Sequence, residues 1–189
     1  MKNSELTYKE IYGQPVSFQA VNDTLDTIFK TLDEVFAEKY DEVIFTGCGT
    51  SLYLAQASAH AFSTCTGISA KGMCCSELYY FPETYVGNGK KVLVVPMTRK
   101  SYTTEVRMAI DKVRSYPGVK SLAITCDPDS SKYNDYMLLS PETPEDSVIM
   151  TRSFTSMIYL AVVMSYYVGG KKEKIEQLKD YAANAESFL

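Results

Sequence analysis

The stretch Glu42-Val-Ile-Phe-Thr-Gly-Cys-Gly-Thr-Ser51 decides how this chain is read. Its first half is a short apolar, β-branched run, the composition of a buried strand. Its second half is a Gly-x-Gly-Thr-Ser turn, and residues 52–62 continue in a helical pattern. A strand that passes through glycines into a helix start presents backbone N–H groups to an anion, above all to a phosphate. Glycine allows close approach, and the Thr50 and Ser51 hydroxyls add hydrogen-bonding capacity at the same place. The turn therefore predicts a small phosphorylated ligand without naming it.

The rest of the chain supplies a frame for that turn. Phe18, Val21, Leu25, Ile28, Leu32 and Val35 recur every three or four residues, and Pro15 suits a first helical turn. One amphipathic helix is predicted over 15–38, behind a polar arm at 1–14. Strands are expected at 42–46, 68–73, 91–96, 121–126 and 137–140. Helices are expected at 51–65, 102–115, 153–168 and 171–188, with a short helix or turn at Ser76-Glu-Leu78. Gly169-Gly170 stops the third of these helices. Residues 15–189 read as one domain.

Alternating strands and helices imply an α/β fold, a three-layer αβα sandwich around a five-stranded parallel sheet. In the flavodoxin-like order 2-1-3-4-5, the loops after strands one and three open into one crevice. The second loop, Thr98-Arg-Lys-Ser-Tyr-Thr103, gathers hydroxyls and cations at another helix N-terminus. Two such ends facing one crevice make a phosphate site far stronger than either alone.

Bulk properties exclude other classes. The 189 residues suffice for one ordinary domain, and 46% hydrophobic with 22% charged residues is a globular composition. A net charge of −4, with no basic stripe, argues against a nucleic-acid surface. The apolar stretch around 157–168 is too short and too polar to span a bilayer, and the opening Met-Lys-Asn-Ser-Glu-Leu lacks the apolar core of a signal peptide. A cytoplasmic protein with no membrane partner is expected. The five cysteines are odd in number and form no C-x-x-C, so neither a disulfide framework nor a zinc site is predicted. Cys48 sits in the opening turn, where a helix N-terminus lowers a thiol pKa. A nucleophilic cysteine needs a base, however, and the single histidine, His60, lies two or more turns along the helix, so Cys48 reads as a small buried hydrophobe. Long apolar stripes on the first and last helices predict a homo-oligomer.

Two familiar phosphate loops do not fit. Leu52 occupies the place of the third glycine of a dinucleotide fingerprint, and no acidic residue ends strand two at Lys71-Gly72-Met73. No Gly-Lys-Ser/Thr follows the turn, which excludes a Walker loop.

Four segments resemble the SIS (sugar isomerase) domain family. Thr46-Gly-Cys-Gly-Thr-Ser51 is similar to its first signature, and Cys75-Ser-Glu-Leu78 to the segment after its second strand. Thr98-Arg-Lys-Ser-Tyr-Thr103 resembles its S-R-S-G-E-T loop. Ser147-Val-Ile-Met-Thr-Arg-Ser-Phe-Thr155 resembles the segment that opens the helix after strand five. The resemblance spans about residues 15–170, and its closest form is to double-SIS proteins. These are the tagatose-6-phosphate ketose/aldose isomerase or galactosamine-6-phosphate deaminase group, the isomerase half of glucosamine-6-phosphate synthase, and the fructosamine-6-phosphate deglycases. Ile124-Thr-Cys-Asp and Leu138-Leu-Ser-Pro-Glu-Thr143 favour the tagatose group.

The resemblance implies a sugar-phosphate site made by Gly49, Thr50, Ser51, Thr98, Arg99, Lys100, Ser101, Thr103 and Val148, with Met150 near the sugar. No metal or cofactor is implied. Lys100-Ser101-Tyr102 replaces the family's Ser-Gly-Glu, so Lys100 either offsets the phosphate charge or points to solvent. Glu77 is the one carboxylate in a family motif near the crevice, either a helix-start charge or a general base. Aldose–ketose isomerisation moves a proton between C1 and C2, which requires a base beside the anchored sugar. The implied arrangement is an N-terminal half whose acid–base residues come from a second SIS domain or a partner subunit, helix 171–188 being the connector. A non-catalytic sugar-phosphate sensor and a complete single-SIS isomerase acting as an oligomer are the alternatives.

Overall fold

The computed structural model describes residues 3–87 and 89–189. Five parallel strands, β1 (Glu42–Gly47), β2 (Ala70–Cys74), β3 (Val92–Thr98), β4 (Val119–Thr125) and β5 (Tyr136–Leu139), form one sheet of order β2-β1-β3-β4-β5. This is the expected doubly wound order. The central strands β1 and β3 are buried at every position, as a sheet covered on both faces requires.

Alternation along the strands sorts the core into two halves. Val43, Phe45, Leu93, Val95, Met97, Leu122 and Ile124 face one side. There they meet α2 (Gln14–Asp23), α3 (Leu25–Val35), α4 (Thr50–Thr66), α8 (Arg152–Val168) and α9 (Lys172–Ala183). Ile44, Val92 and Val94 face the other side, against α5 (Cys75–Tyr80), α6 (Pro82–Val86) and α7 (Thr104–Val113). Helix α8 buries nine residues, the most of any helix here, because it packs directly on α4 through small side chains such as Ala55 and Ala59.

Several boundaries differ from the sequence reading. The single helix expected at 15–38 is two helices, because the Thr24 hydroxyl donates to the Ala20 and Val21 carbonyls and bends the chain there. Its apolar stripe nevertheless continues, with Val21, Leu25, Ile28, Leu32 and Val35 all buried. The arm expected at 1–14 is, from residue 3, the helix α1 (Asn3–Tyr12). Helix α6 was not anticipated; Pro82 starts it at a position where a missing N–H costs nothing. The last helix ends at Ala183 and finishes in a 3₁₀ turn, Ala185–Phe188.

Candidate functional site

The loops after β1 and β3 meet at the carboxyl edge of the sheet, where the chain winds off in opposite directions. Between them lies a cleft of about 170 Å³ lined by Cys48, Ser51, Thr98, Arg99, Lys100, Tyr102 and Thr103, with Met97, Val106 and Met150 supplying apolar wall. Helices α4 and α7 both begin here. The unpartnered N–H groups of a helix's first turn give its end a partial positive charge, so the cleft has two such ends.

The geometry of the first loop depends on two glycines. A Cβ on Gly47 would stand 2.4 Å from the Ser51 carbonyl oxygen, so only glycine lets the helix start so close to the strand. Gly49 has φ +56° and ψ −127°, a conformation that L side chains rarely adopt. The result brings Ser51 into the cleft, 7% exposed, with no protein partner for its hydroxyl among the described residues. Thr50 is exposed on the outer side of the turn.

The second loop is held from within and from behind. Thr98 Oγ1 donates to the Lys100 carbonyl at 2.8 Å, and Thr103 Oγ1 to the same oxygen at 3.3 Å. Both hydroxyl protons are engaged in shaping the turn. Ser101 faces away from the cleft: its N–H and hydroxyl donate to Asp127 Oδ2 at 2.9 and 2.7 Å. Burial pushes the Asp127 carboxyl up, but the bonds from Ser101 and Asp129 outweigh it and hold the group below its ordinary range.

Arg99 lines the cleft, yet its charge is already paired. Its Nη1 donates to Glu145 Oε2 at 3.0 Å, and that carboxylate is fully buried. Glu145 also accepts from the Thr151 N–H at 2.7 Å, the Thr151 hydroxyl at 2.9 Å, the Ser153 N–H at 3.0 Å and the Ser153 hydroxyl. Burial raises its pKa, while the bonds from Ser153, Thr151 and Arg99 more than reverse the effect and leave it below the usual carboxylate value. One carboxylate thus joins the second loop to the start of α8. Among the described residues, the cation at the mouth without an ion pair is Lys100, whose Nζ lies 5.7 Å from the centre of the Tyr102 ring. Glu105, in the first turn of α7, is an opposing charge. Substituting Lys100→Ala is expected to weaken a phosphorylated ligand about tenfold, roughly 1.4 kcal/mol, with little change in folding stability. Isothermal titration beside a urea melt separates the two.

Besides Thr50 and Ser101, two further sequence-predicted residues lie elsewhere. Val148 is 92% exposed and borders a different hollow with Leu6, Thr7 and Ile149; Met150 takes the inward place two residues on. Glu77 is exposed on α5, outside the cleft lining, and accepts a bond from the Tyr85 hydroxyl at 3.3 Å. His60 is exposed along α4. Among the described residues, the lining therefore holds no carboxylate and no imidazole.

The segment between β5 and α8 is held by residues near the start of the chain. Glu10 accepts from the Asp146 and Ser147 N–H groups at 2.7 and 3.0 Å and from the Ser147 hydroxyl. Ser17 Oγ donates to the Glu142 carbonyl at 2.8 Å, where Glu142 has a positive φ of 52°. Neither Glu145 nor Glu10 carries a sequence signal, since their partners lie across loops and far along the chain.

A profile of the SIS domain matches residues 37–168, which includes the whole sheet and both cleft loops. The chain belongs to the SIS domain family. Among curated relatives of this SIS chain, glutamine–fructose-6-phosphate aminotransferase (isomerizing) of Helicobacter pylori strain J99 is 26% identical over 166 residues, covering 85% of this chain and 27% of that protein. Among solved structures, tagatose-6-phosphate ketose/aldose isomerase from Escherichia coli superposes with a TM-score of 0.82 at 21% identity, over 97% of this chain and 53% of that one. The C-terminal domain of glucosamine-fructose-6-phosphate aminotransferase from Francisella tularensis gives 0.78 at 21% identity, over 94% and 54%. The SIS chain thus spans about a quarter of that curated relative and about half of these solved chains. No described helix is long and apolar enough to cross a membrane.

Proposed function

We propose that this SIS domain binds a sugar phosphate as one half of a ketose/aldose phosphosugar isomerase or amino-sugar-phosphate deaminase. The observation that carries the reading is the cleft itself. Two helix N-termini, the unengaged Ser51 hydroxyl and the Lys100 ammonium converge on a space the size of a phosphate with part of a sugar. Apolar Met97, Val106 and Met150 line the rest, which suits the carbon face of a sugar. The acid–base groups of the reaction come from outside this cleft, supplied by a second SIS domain or by a partner subunit in a homo-oligomer. The relatives' names point to the same substrate class.

The test is a thermal melt with fructose 6-phosphate, tagatose 6-phosphate and the corresponding free sugars. At a hundred times Kd a ligand adds about 2.7 kcal/mol, which for a domain of this size raises Tm by roughly 5–10 °C. The phosphorylated sugars are expected to give that shift and the free sugars none. Equal shifts with both, or none with either, count against the reading.

The lining favours one second reading. A cleft without carboxylate or imidazole is equally suited to a sensor that binds and does no chemistry. Isomerase assays on the same phosphorylated sugars discriminate: turnover by the purified chain excludes both the sensor and the half-enzyme.

A further inference from the structure

Cys48 borders the cleft, half-buried, while Cys75 is completely buried. Gly47 and Cys74 are paired residues on the neighbouring strands β1 and β2. Cys48 and Cys75 follow this pair directly, and both pack into the core on the α5–α7 side of the sheet. Neighbouring strands lie about 4.8 Å apart, inside the Cα separation of roughly 4.4–6.8 Å that a disulfide spans. Cys48 packs against the core cluster that contains Cys75, close enough for the Cys75 thiol and backbone N–H to act on its sulfur. Those two contacts hold Cys48 below its ordinary range, against burial and the nearby Glu105 charge, whereas contact with Cys48 and burial push Cys75 up. Cys48 borders the cleft and Cys75 is buried behind it, so Cys48 is the thiol that a small oxidant reaches first. Thr46 Oγ1, 3.3 Å from Cys75 Sγ, fixes the buried thiol in place. The adjacent Cys74 is engaged elsewhere, accepting from the Ser76 hydroxyl at 3.1 Å.

We propose that Cys48 and Cys75 are a modification site, a reversible disulfide set into the floor of the cleft and formed by hydrogen peroxide. The Cys48 thiolate attacks one peroxide oxygen and the O–O bond breaks, giving a sulfenic acid at Cys48 and hydroxide, which is protonated to water. The Cys75 sulfur then attacks the Cys48 sulfur. The S–O bond breaks, and the departing hydroxide takes the Cys75 proton as a second water. The two thiols lose two electrons and two protons, and one peroxide becomes two waters. A dithiol reverses the link by exchange. Such a bond belongs among the transient disulfides of a reducing compartment. The link ties the 47–51 loop to the junction of β2 and α5. Its coupling to ligand rests on the sugar-phosphate reading: a phosphate beside Cys48 opposes the thiolate and slows the first step.

Reduced protein is treated with equimolar hydrogen peroxide, blocked with N-ethylmaleimide and digested without reductant. The expected product is a peptide joining Cys48 to Cys75 that dithiothreitol cleaves. In Cys75→Ser, Cys48 is expected to persist as a dimedone-reactive sulfenic acid. Oxidation of wild-type Cys48 to the sulfinic acid with no link, or a link through Cys74, overturns the proposal. Saturating fructose 6-phosphate is expected to slow the cross-link about fivefold; a rate indifferent to a ligand that shifts Tm overturns the coupling. The two readings fail separately. A cross-link in protein whose Tm no sugar phosphate moves supports the disulfide and sinks the ligand, and a Tm shift without a cross-link does the reverse.

Discussion

Glu145→Ala is expected to remove about 3–5 kcal/mol of folding stability, one of the largest losses available from a single substitution in this chain. The carboxylate is buried and accepts from Arg99, Thr151 and Ser153 at once. Truncation leaves the Arg99 guanidinium without its partner and two N–H groups at the start of α8 without an acceptor. Urea denaturation at pH 7 measures the loss; a change under 1 kcal/mol would show that the network is not what joins the two loops. The same group gives stability a pH dependence of definite sign. Its folded pKa lies below the unfolded one, so the folded state is favoured fully above the unfolded value of about 4.3. That contribution declines as pH falls through the folded value. Glu10 and Asp127 are held below their ordinary ranges too, each by hydrogen bonds that outweigh burial, and add in the same direction. Wild-type urea midpoints should therefore drop below pH 5, and Glu145→Gln should flatten the slope.

Gly47→Ala is expected to abolish the sugar-phosphate Tm shift and to cost roughly 1–3 kcal/mol of stability. The added methyl would meet the Ser51 carbonyl carbon at 2.5 Å and its oxygen at 2.4 Å, and backbone does not swing aside as a lysine tip would. The start of α4 must move, carrying the Ser51 hydroxyl and its N–H groups out of line with the opposite loop. A displacement near 1 Å at a positioned group is enough to lose most of its effect. Titration with fructose 6-phosphate reads the outcome. Retained affinity in a folded Gly47→Ala protein would place the ligand somewhere other than this cleft.

The sheet and the first cleft loop were legible because their signals are local. The β-branched run at 42–46, the turn at 47–51 and the 3.6-residue stripe of α7 each lie within a dozen residues, and period and turn chemistry suffice to read them. The second loop was legible as a location but not in detail. Ser101 looked like a phosphate ligand beside Thr98 and Thr103. Its actual acceptor, Asp127, ends a strand that becomes a neighbour only once the sheet order exists. Val148 and Met150 were both placed near the sugar by motif position; the segment's conformation turns Met150 into the cleft and leaves Val148 exposed. Thr24 misled the helix reading because its back-bonded hydroxyl bends the chain without interrupting the apolar stripe. The closeness of Cys48 to Cys75 left no sequence signal, because the two residues become neighbours only once β1 and β2 pair.

The contact between Glu10 and the amides of Asp146 and Ser147 spans 136 positions of sequence, and it sets an order of assembly. A chain synthesised from its amino end exposes α1 long before its partner exists. Through all of that interval the Glu10 carboxylate lacks the amide donors of Asp146 and Ser147. The segment it grips connects β5 to α8, so the rim of the cleft cannot close until the last strand has joined the sheet and the helix carrying Ser153 has begun. The β1 turn, with its glycines and its Ser51, is thus complete in sequence well before the segment that Glu10 grips has been made.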